Sequence, residues 1–276
     1  MTGLQKLVKY AATALAVVLI INIFFGVFAA FAAIGFIFES FSVDSASGSD
    51  SAITNKTDFT ADILEIELDT SKLVITESSA LSFACSDSSV KIAEVNGILK
   101  ISEDRKAFSF NDNAAEIMLY VPSETVFEKV DITSGAGKIK IDSLNAERIY
   151  FELGAGTAEI NRLSAKSSAE ISVGAGKLDI KSGDFRNLSL ALGVGSAQLN
   201  AKLSGNCNID YGIGNADITL TGNKDDYKID FDNGISRAYM SGEVANSETV
   251  YGDGDNRISI NGAIGSVSVD FSDKAK

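Results

Sequence analysis

Gly135-Ala136-Gly137, Gly154-Ala155-Gly156, Gly174-Ala175-Gly176, Gly193-Val194-Gly195 and Gly212-Ile213-Gly214 recur every 19 or 20 residues along this chain. Weaker copies follow at Asp232-Asn233-Gly234 and Gly252-Asp253-Gly254. A fixed period of this length marks stacked repeats rather than a globule built round one centre. One repeat is too short to bury an apolar face by itself, so successive units must cover one another.

The residues before each glycine pair fall into three apolar columns. The first column is Val130, Ile149, Ala169, Leu188, Cys207 and Tyr227. The second is Ile132, Phe151, Ile171, Leu190, Ile209 and Ile229, and the third is Ser134, Leu153, Val173, Leu192, Tyr211 and Phe231. Between them stand Asp131, Tyr150, Glu170, Ser189, Asn208 and Lys228. Alternation of this kind predicts a strand with one dry and one wet face.

The same period continues after the glycines, where Ile139, Ala158, Leu178, Ala197 and Ala216 alternate with Lys140, Glu159, Asp179, Gln198 and Asp217. Glycine is expected at the bend between the two strands because a sharp turn there calls for positive φ. A second corner should turn an apolar residue inward at Leu144, Leu163, Phe185 and Leu203.

The predicted fold class is therefore all-β, a β-solenoid or β-helix of about nine or ten stacked coils with a 19–20-residue repeat. Earlier segments are assigned to less regular coils. One pairs Leu64-Ile66-Leu68 with Leu73-Ile75, and a second pairs Leu81-Phe83-Cys85 with Val90-Ile92. Ile117-Leu119-Val121, closed by the only proline, Pro122, leads into the regular array.

From Ala11 to Phe38 the chain is apolar except for Thr13 and Asn22, a run of 28 residues. About 20 residues span a bilayer as a helix, so this run predicts a transmembrane anchor in contact with membrane lipid. Lys6 and Lys9 precede it and no acid occurs before Glu39, which orients the amino terminus to the cytoplasm and the remainder outside. A signal peptide cleaved after Ala30-Phe31-Ala32 is the rival reading. The apolar run is about twice a signal core, and it continues past that site to Phe38. The domains expected are a short cytoplasmic segment 1–10, an anchor helix 11–38, a Ser/Asp-rich extracellular linker 39–58 and the repeat domain 59–276.

Removing Lys6 and Lys9 from the 24 basic residues leaves 22 against 37 acids, a formal charge of −15 outside the anchor. Such a field repels nucleic acid and anionic lipid and provides no basic footprint for either. It keeps a strand-rich surface from associating laterally. It would also attract cationic peptides.

The chain has no histidine and no tryptophan, which removes imidazole bases and most zinc sites. Gly135-Ala136-Gly137-Lys138 and Gly174-Ala175-Gly176-Lys177 lack the earlier glycine, the following Ser or Thr and the helix that a phosphate loop needs. Asp225, Asp226, Asp230 and Asp232, with Asp253 and Asp255, are oxygen-rich enough for calcium to be considered. Calcium-binding β-rolls, however, repeat every nine residues with an aspartate in each turn. Glu152, Glu159, Glu170 and Asp179 should project outward on neighbouring coils, but stacked ladders bring carboxylates together without catalysis. Cys85 and Cys207 fall at inward positions several coils apart and read as buried apolar fillers. No catalytic, cofactor-binding or metal-binding residue is assigned, and no cofactor is expected.

Ile117-Met118-Leu119-Tyr120-Val121-Pro122, a strand ending in proline, is followed by glycine-cornered coils that begin Val130-Asp131-Ile132-Thr133-Ser134-Gly135. This pattern resembles the bacterial putative adhesin family, membrane-anchored β-strand-repeat domains of unknown function, over residues 60 to 271. The resemblance implies a single-span protein with its repeat domain at the cell surface. Some similar proteins accompany envelope-stress regulators in Gram-positive bacteria. The resemblance carries no catalytic or binding residue onto this chain.

The function expected is a non-enzymatic, membrane-anchored interaction module at the cell surface, meeting an envelope protein or polymer. It would present the ladders Lys138/Thr157/Lys177 and Lys140/Glu159/Asp179/Gln198/Asp217. A tethered sensor of envelope stress responding to cationic peptides is the alternative. A structural β-helical polymer is the third reading.

Overall fold

The computed structural model describes residues 54–57, 59–85, 87–103, 115–233, 237–247 and 249–272. The expected segments 1–10 and 11–38, with most of 39–58, lie outside the described residues. Among the described residues no helix is long and apolar enough to cross a membrane.

The described residues are almost entirely strand. It runs β1 (Thr54–Thr57), β2 (Ile63–Leu68), β3 (Lys72–Ser78), β4 (Ser82–Cys85), β5 (Val90–Val95), β6 (Ile98–Glu103) and β7 (Glu116–Pro122). The array follows as β8 (Val126–Arg186), β9 (Leu188–Ser204) and β10 (Asn206–Thr221), then β11 (Tyr227–Asn233), β12 (Arg237–Met240), β13 (Glu243–Ala245) and β14 (Asn256–Ser272). A single 3-10 turn, Lys224–Asp226, separates β10 from β11.

The repeats stack in parallel and in register. Ala169 pairs with Leu188, Ile171 with Leu190 and Gly176 with Gly195. On the next rung Leu190 pairs with Ile209 and Gly195 with Gly214. All three columns before the glycines are buried, as are Ile139, Ala158, Leu178, Ala197 and Ala216 after them. Leu144, Leu163, Phe185 and Leu203 close the second corner at 1 % exposure or less. Every rung therefore contributes side chains to one continuous apolar interior. Each fully buried aliphatic chain there stabilises by about 1.5–3 kcal/mol.

The glycine requirement divides into two parts. The second glycine of each pair has positive φ, +143° at Gly195, a conformation L side chains rarely adopt. The first glycine, such as Gly193, does not, so positive φ accounts for one glycine of each pair. Its constraint is proximity, because a Cβ on Gly193 would run into the carbonyl oxygen of Gly174 on the rung below. Two backbones approach so closely at this bend that no side chain fits between them.

Both ends depart from serial winding. At the amino-terminal end β2 and β3 lie inside the stack: Leu64 pairs with Val130 and Leu73 with Ile139 on one side. On the other side Ile63 pairs with Ile98 and Leu73 with Ile117. The coil expected from Leu81-Phe83-Cys85 and Val90-Ile92 does not form. These residues build β4, antiparallel to β7, and β5, antiparallel to β6. The reason is a tight turn at Asn96-Gly97, where both residues have positive φ (52° and 76°) and reverse the chain into a hairpin. Thr54–Thr57, assigned to the linker, is a strand antiparallel to β4, so the folded domain starts before residue 59.

The carboxyl-terminal end repeats the device. β14 lies between β10 and β11, pairing Ile209 with Ile260 on one side and Phe231 with Ile260 on the other. The bend of this rung is Gly262-Ala263-Ile264-Gly265, with Gly265 on Gly214. Gly252-Asp253-Gly254 is not a bend of the array but part of the returning loop. Gly254 donates its N–H to the Tyr227 carbonyl at 3.1 Å. β12 turns through Ser241-Gly242, again with positive φ at both residues, into antiparallel β13.

Two predictions follow from this arrangement. Gly195→Val should destabilise the domain by about 3 kcal/mol or more, whereas Lys177→Ala should stay within about 0.5 kcal/mol, both read by urea unfolding. Deleting 256–272 removes an interior rung, so it should unfold the carboxyl-terminal rungs on both sides of the gap. In a serially wound chain the same deletion would cost only the last coil. Amide hydrogen exchange at Ile209 and Ile229 separates the two outcomes.

Candidate functional site

The wet side of the strand before each bend carries two neighbouring polar ladders. Lys129, Arg148, Ser168 and Asn187 stand on successive rungs, beside Asp131, Tyr150, Glu170 and Ser189. The short side chains at 168, 169 and 189 leave a furrow next to the long ones. It has a volume of about 280 Å³, with Ile149 and Ala169 among its lining residues.

Tyr150 occupies the middle of this face. Its hydroxyl donates to Glu152 Oε2 at 2.8 Å. Partial burial pushes the phenol above its ordinary range; the Glu152 hydrogen bond and the nearby carboxylates of Glu152, Glu170 and Asp131 add to the effect. Tyr150 therefore keeps its proton at physiological pH and acts as a hydrogen-bond donor to Glu152. The flanking cations are held by acids: Lys129 Nζ lies 2.7 Å from Asp131 Oδ2, and Arg148 Nη2 lies 2.8 Å from Glu128 Oε1. The furrow thus combines an aromatic edge, a guanidinium, an ammonium group and the exposed carboxylate of Glu170. Hydrogen bonding and stacking with a polar ligand are within its reach.

The strand after the bend presents the expected ladders. Asp179 pairs in register with Gln198, and Gln198 with Asp217. Glu159 forms ion pairs with two lysines, Oε1 with Lys138 Nζ at 3.1 Å and Oε2 with Lys140 Nζ at 3.6 Å. The Lys138 hydrogen bond is the main reason that the Glu159 carboxyl lies below its usual range. Asp179 faces Lys177 at 3.8 Å. Of the carboxylates considered for sugar cleavage, Glu159 and Asp179 are thus paired with lysines and Glu152 with Tyr150. Glu152 stands on the outer face beside Tyr150, as its strand parity predicts, but it is covered there, at 8 % exposure.

Further along this strand Thr76, Asp142, Asn161 and Lys181 form a hydrogen-bonded rail across rungs. Thr76 donates to Asp142 at 2.6 Å, Asn161 donates to Asp142 at 3.1 Å, and Lys181 donates to Asn161 at 3.0 Å.

The late aspartates are dispersed. Asp226 accepts from the Asn223 N–H at 2.7 Å and closes the 3-10 turn, while Asp230 accepts from Ser259 at 2.9 Å. Among the described residues no three candidate ligands come together as a metal centre. Cys85 and Cys207 are buried thiols. Cys207 Sγ accepts from the Leu188 N–H at 3.4 Å, and burial pushes its thiol up.

Residues that the repeat pattern does not reveal hold the stack at its irregular places. Glu103 Oε2 accepts from the successive N–H groups of Asp69, Thr70 and Ser71 at 2.9, 3.1 and 3.2 Å. It fills the bend of the β2–β3 rung with an anion. Asn187 bridges rungs by donating to the Ser167 carbonyl and accepting from the Asn206 N–H, both at 3.1 Å. Asn256 does the same between Gly205 and Asp226. The Asn96-Gly97 dipeptide was the one visible signal for the amino-terminal hairpin.

With this geometry established, residues 60–268 match the Toastrack DUF4097 family. The chain belongs to that family. Among solved structures, a putative cell adhesion protein from Clostridium sporogenes is 16 % identical, with 80 % of this chain and 100 % of that one covered at a TM-score of 0.35. A putative adhesin from Bacteroides fragilis is 14 % identical, covering 80 % and 98 % at a TM-score of 0.43. Another, from Parabacteroides distasonis, is 13 % identical, covering 81 % and 98 % at 0.39. No curated protein sequence matches the chain.

The Glu159 assignment has a direct check. Its carboxyl resonance should titrate below the ordinary glutamate range and move back up in Lys138→Ala. Because the folded-state value is lowered, its contribution to stability is present above pH 4.5 and is lost as pH falls further. An unchanged titration in Lys138→Ala would contradict the pairing.

Proposed function

We propose that this chain is a non-enzymatic interaction module, held at the cell surface by the apolar stretch 11–38 and contacting an envelope protein or polymer through its polar ladders. The observation that carries the reading is the furrow beside Tyr150. An aromatic ring, two cations and an exposed carboxylate meet there on one sheet face. Short side chains at Ser168 and Ser189 leave room for a polar chain lying across the rungs. The antiparallel hairpins at both ends support a discrete module over a polymer, since a hairpin does not offer the parallel rung that end-to-end stacking needs.

The sensor reading rests on charge. A net charge of −13 attracts cationic peptides at low salt, and such binding would weaken steeply as salt is raised.

Two measurements test the proposal. Protease treatment of intact cells should degrade the repeat domain while a cytoplasmic marker survives; protection of both would place the domain inside and end the surface reading. Tyr150→Ala combined with Arg148→Glu should reduce binding of the full chain to isolated cell envelopes about tenfold or more, with little change in the urea midpoint. Undiminished binding would remove the furrow from the function.

A further inference from the structure

The outer tip of each bend bears one side chain, and these tips form a ladder of their own. Ala175 pairs with Val194, Val194 with Ile213 and Ile213 with Ile264. Ala136 and Ala155 occupy the same place on the preceding rungs. The aliphatic side chains are open to solvent: Val194 is 52 % exposed, Ile213 49 % and Ile264 47 %. Side chains on a stacked β-ladder recur at about 4.8 Å, so the three make a short continuous ridge. Glycine flanks Val194 and Ile213 on both sides, so no neighbouring side chain shields them.

The charge distribution along this edge is unlike the rest of the molecule. The chain has 37 acidic residues, yet none lies within 135–138, 154–157, 174–177, 193–196, 212–215 or 262–266. Behind the ridge runs a neutral polar ladder, in which Asn215 pairs with Ser196 and Ser266 and accepts from the Ser266 hydroxyl at 2.8 Å. Lys138 and Lys177 stand on the same edge, each facing an acid set back from it. An aliphatic crest, a neutral polar shoulder and flanking lysines form the layered order of groups that suits a lipid–water interface.

We infer that the glycine-bend edge is a bilayer-contact surface, with Val194, Ile213 and Ile264 reaching the headgroup–acyl boundary. The inference rests on the anchored reading of residues 11–38 proposed above. Anchoring matters because the ridge is small. A stable protein interface buries about 800 Å² on each partner, which a single row of three aliphatic side chains does not supply. A fluid bilayer requires no complementary surface, and a tether raises the local concentration so that weak contacts are occupied. The short chain between residue 38 and β1 spans at most about 50 Å when extended, which keeps the domain close to the lipid.

The test uses the full chain reconstituted in phosphatidylcholine vesicles. Some of the lipid carries a nitroxide near the top of the acyl chain. A fluorophore is placed at Ile213→Cys, with a second preparation labelled at Val126→Cys, which is 44 % exposed at the opposite end of its strand. Cys85 and Cys207 are buried and form the unlabelled background. Quenching at position 213 should be several-fold stronger than at 126. With the label at Ala175→Cys instead, replacing Val194, Ile213 and Ile264 by serine should abolish the excess quenching without lowering the urea midpoint. Chain that fails to float with the vesicles would overturn the anchored reading, and this inference with it. Chain that floats with equal quenching at 213 and 126 would overturn the bilayer contact alone. An unquenched label at 213, together with ready disulfide formation between two copies through Ile213→Cys, would assign the edge to a second copy and also overturn it.

Discussion

At each glycine bend backbone meets backbone, the carbonyl oxygen of one rung's glycine lying where a Cβ on the next rung's glycine would stand. Gly176, Gly195, Gly214 and Gly265 are successive examples, and in each a Cβ would occupy the oxygen of the preceding rung. This contact sets where the rungs lie on one another. With the bends superposed, Ala169, Leu188, Cys207 and Ile258 fall into one column, and the alternation of buried and exposed residues is kept in phase from rung to rung. Because a slip of one residue would turn every buried side chain toward water, the interior and the bends enforce the same register independently.

A stack of parallel rungs has the weakness that its first and last members expose unpaired edges. Here both ends are interleaved. The β2–β3 rung is covered by β6 and β7 from later in the chain, and the β11–β12 rung lies outside β14, which is formed after it. Antiparallel β5 and β13 then finish the ends. The terminal rungs are consequently held by segments distant in sequence, so fraying of one end must separate contacts on both sides of an inserted strand. The same interleaving leaves the long faces of the array as the surfaces available for interaction, which is where the Tyr150 furrow and the aliphatic crest lie.

The regular part of the fold was legible residue by residue. Val130, Phe151, Leu192 and Ile218 could be assigned to the interior from alternation alone, because a repeating strand has only two sides and the apolar residues keep to one of them. The ends were not legible in that way. Leu81-Phe83-Cys85 has the same alternation as a coil strand, and alternation does not distinguish a parallel partner from an antiparallel one. The Asn96-Gly97 turn was the available clue. Gly252-Asp253-Gly254 and Gly262-Ala263-Ile264-Gly265 look alike as glycine bends, and only the pairing of Gly265 with Gly214 tells them apart. Glu152 has the outward strand parity that alternation predicts, but alternation does not reveal that its carboxylate is covered and bonded to Tyr150.

Local pattern was sufficient to determine the repeat length, the buried columns and the need for glycine at the bends, since each follows from steric and solvation preferences acting within about 20 residues of chain. Tertiary structure alone decided the order of rungs at the two ends, the burial of Glu152, the anion at the Asp69–Ser71 bend and the emergence of Val194, Ile213 and Ile264 as one exposed ridge. These depend on which distant segments become neighbours, and parallel pairing between similar strands is selected by the packing of the whole stack.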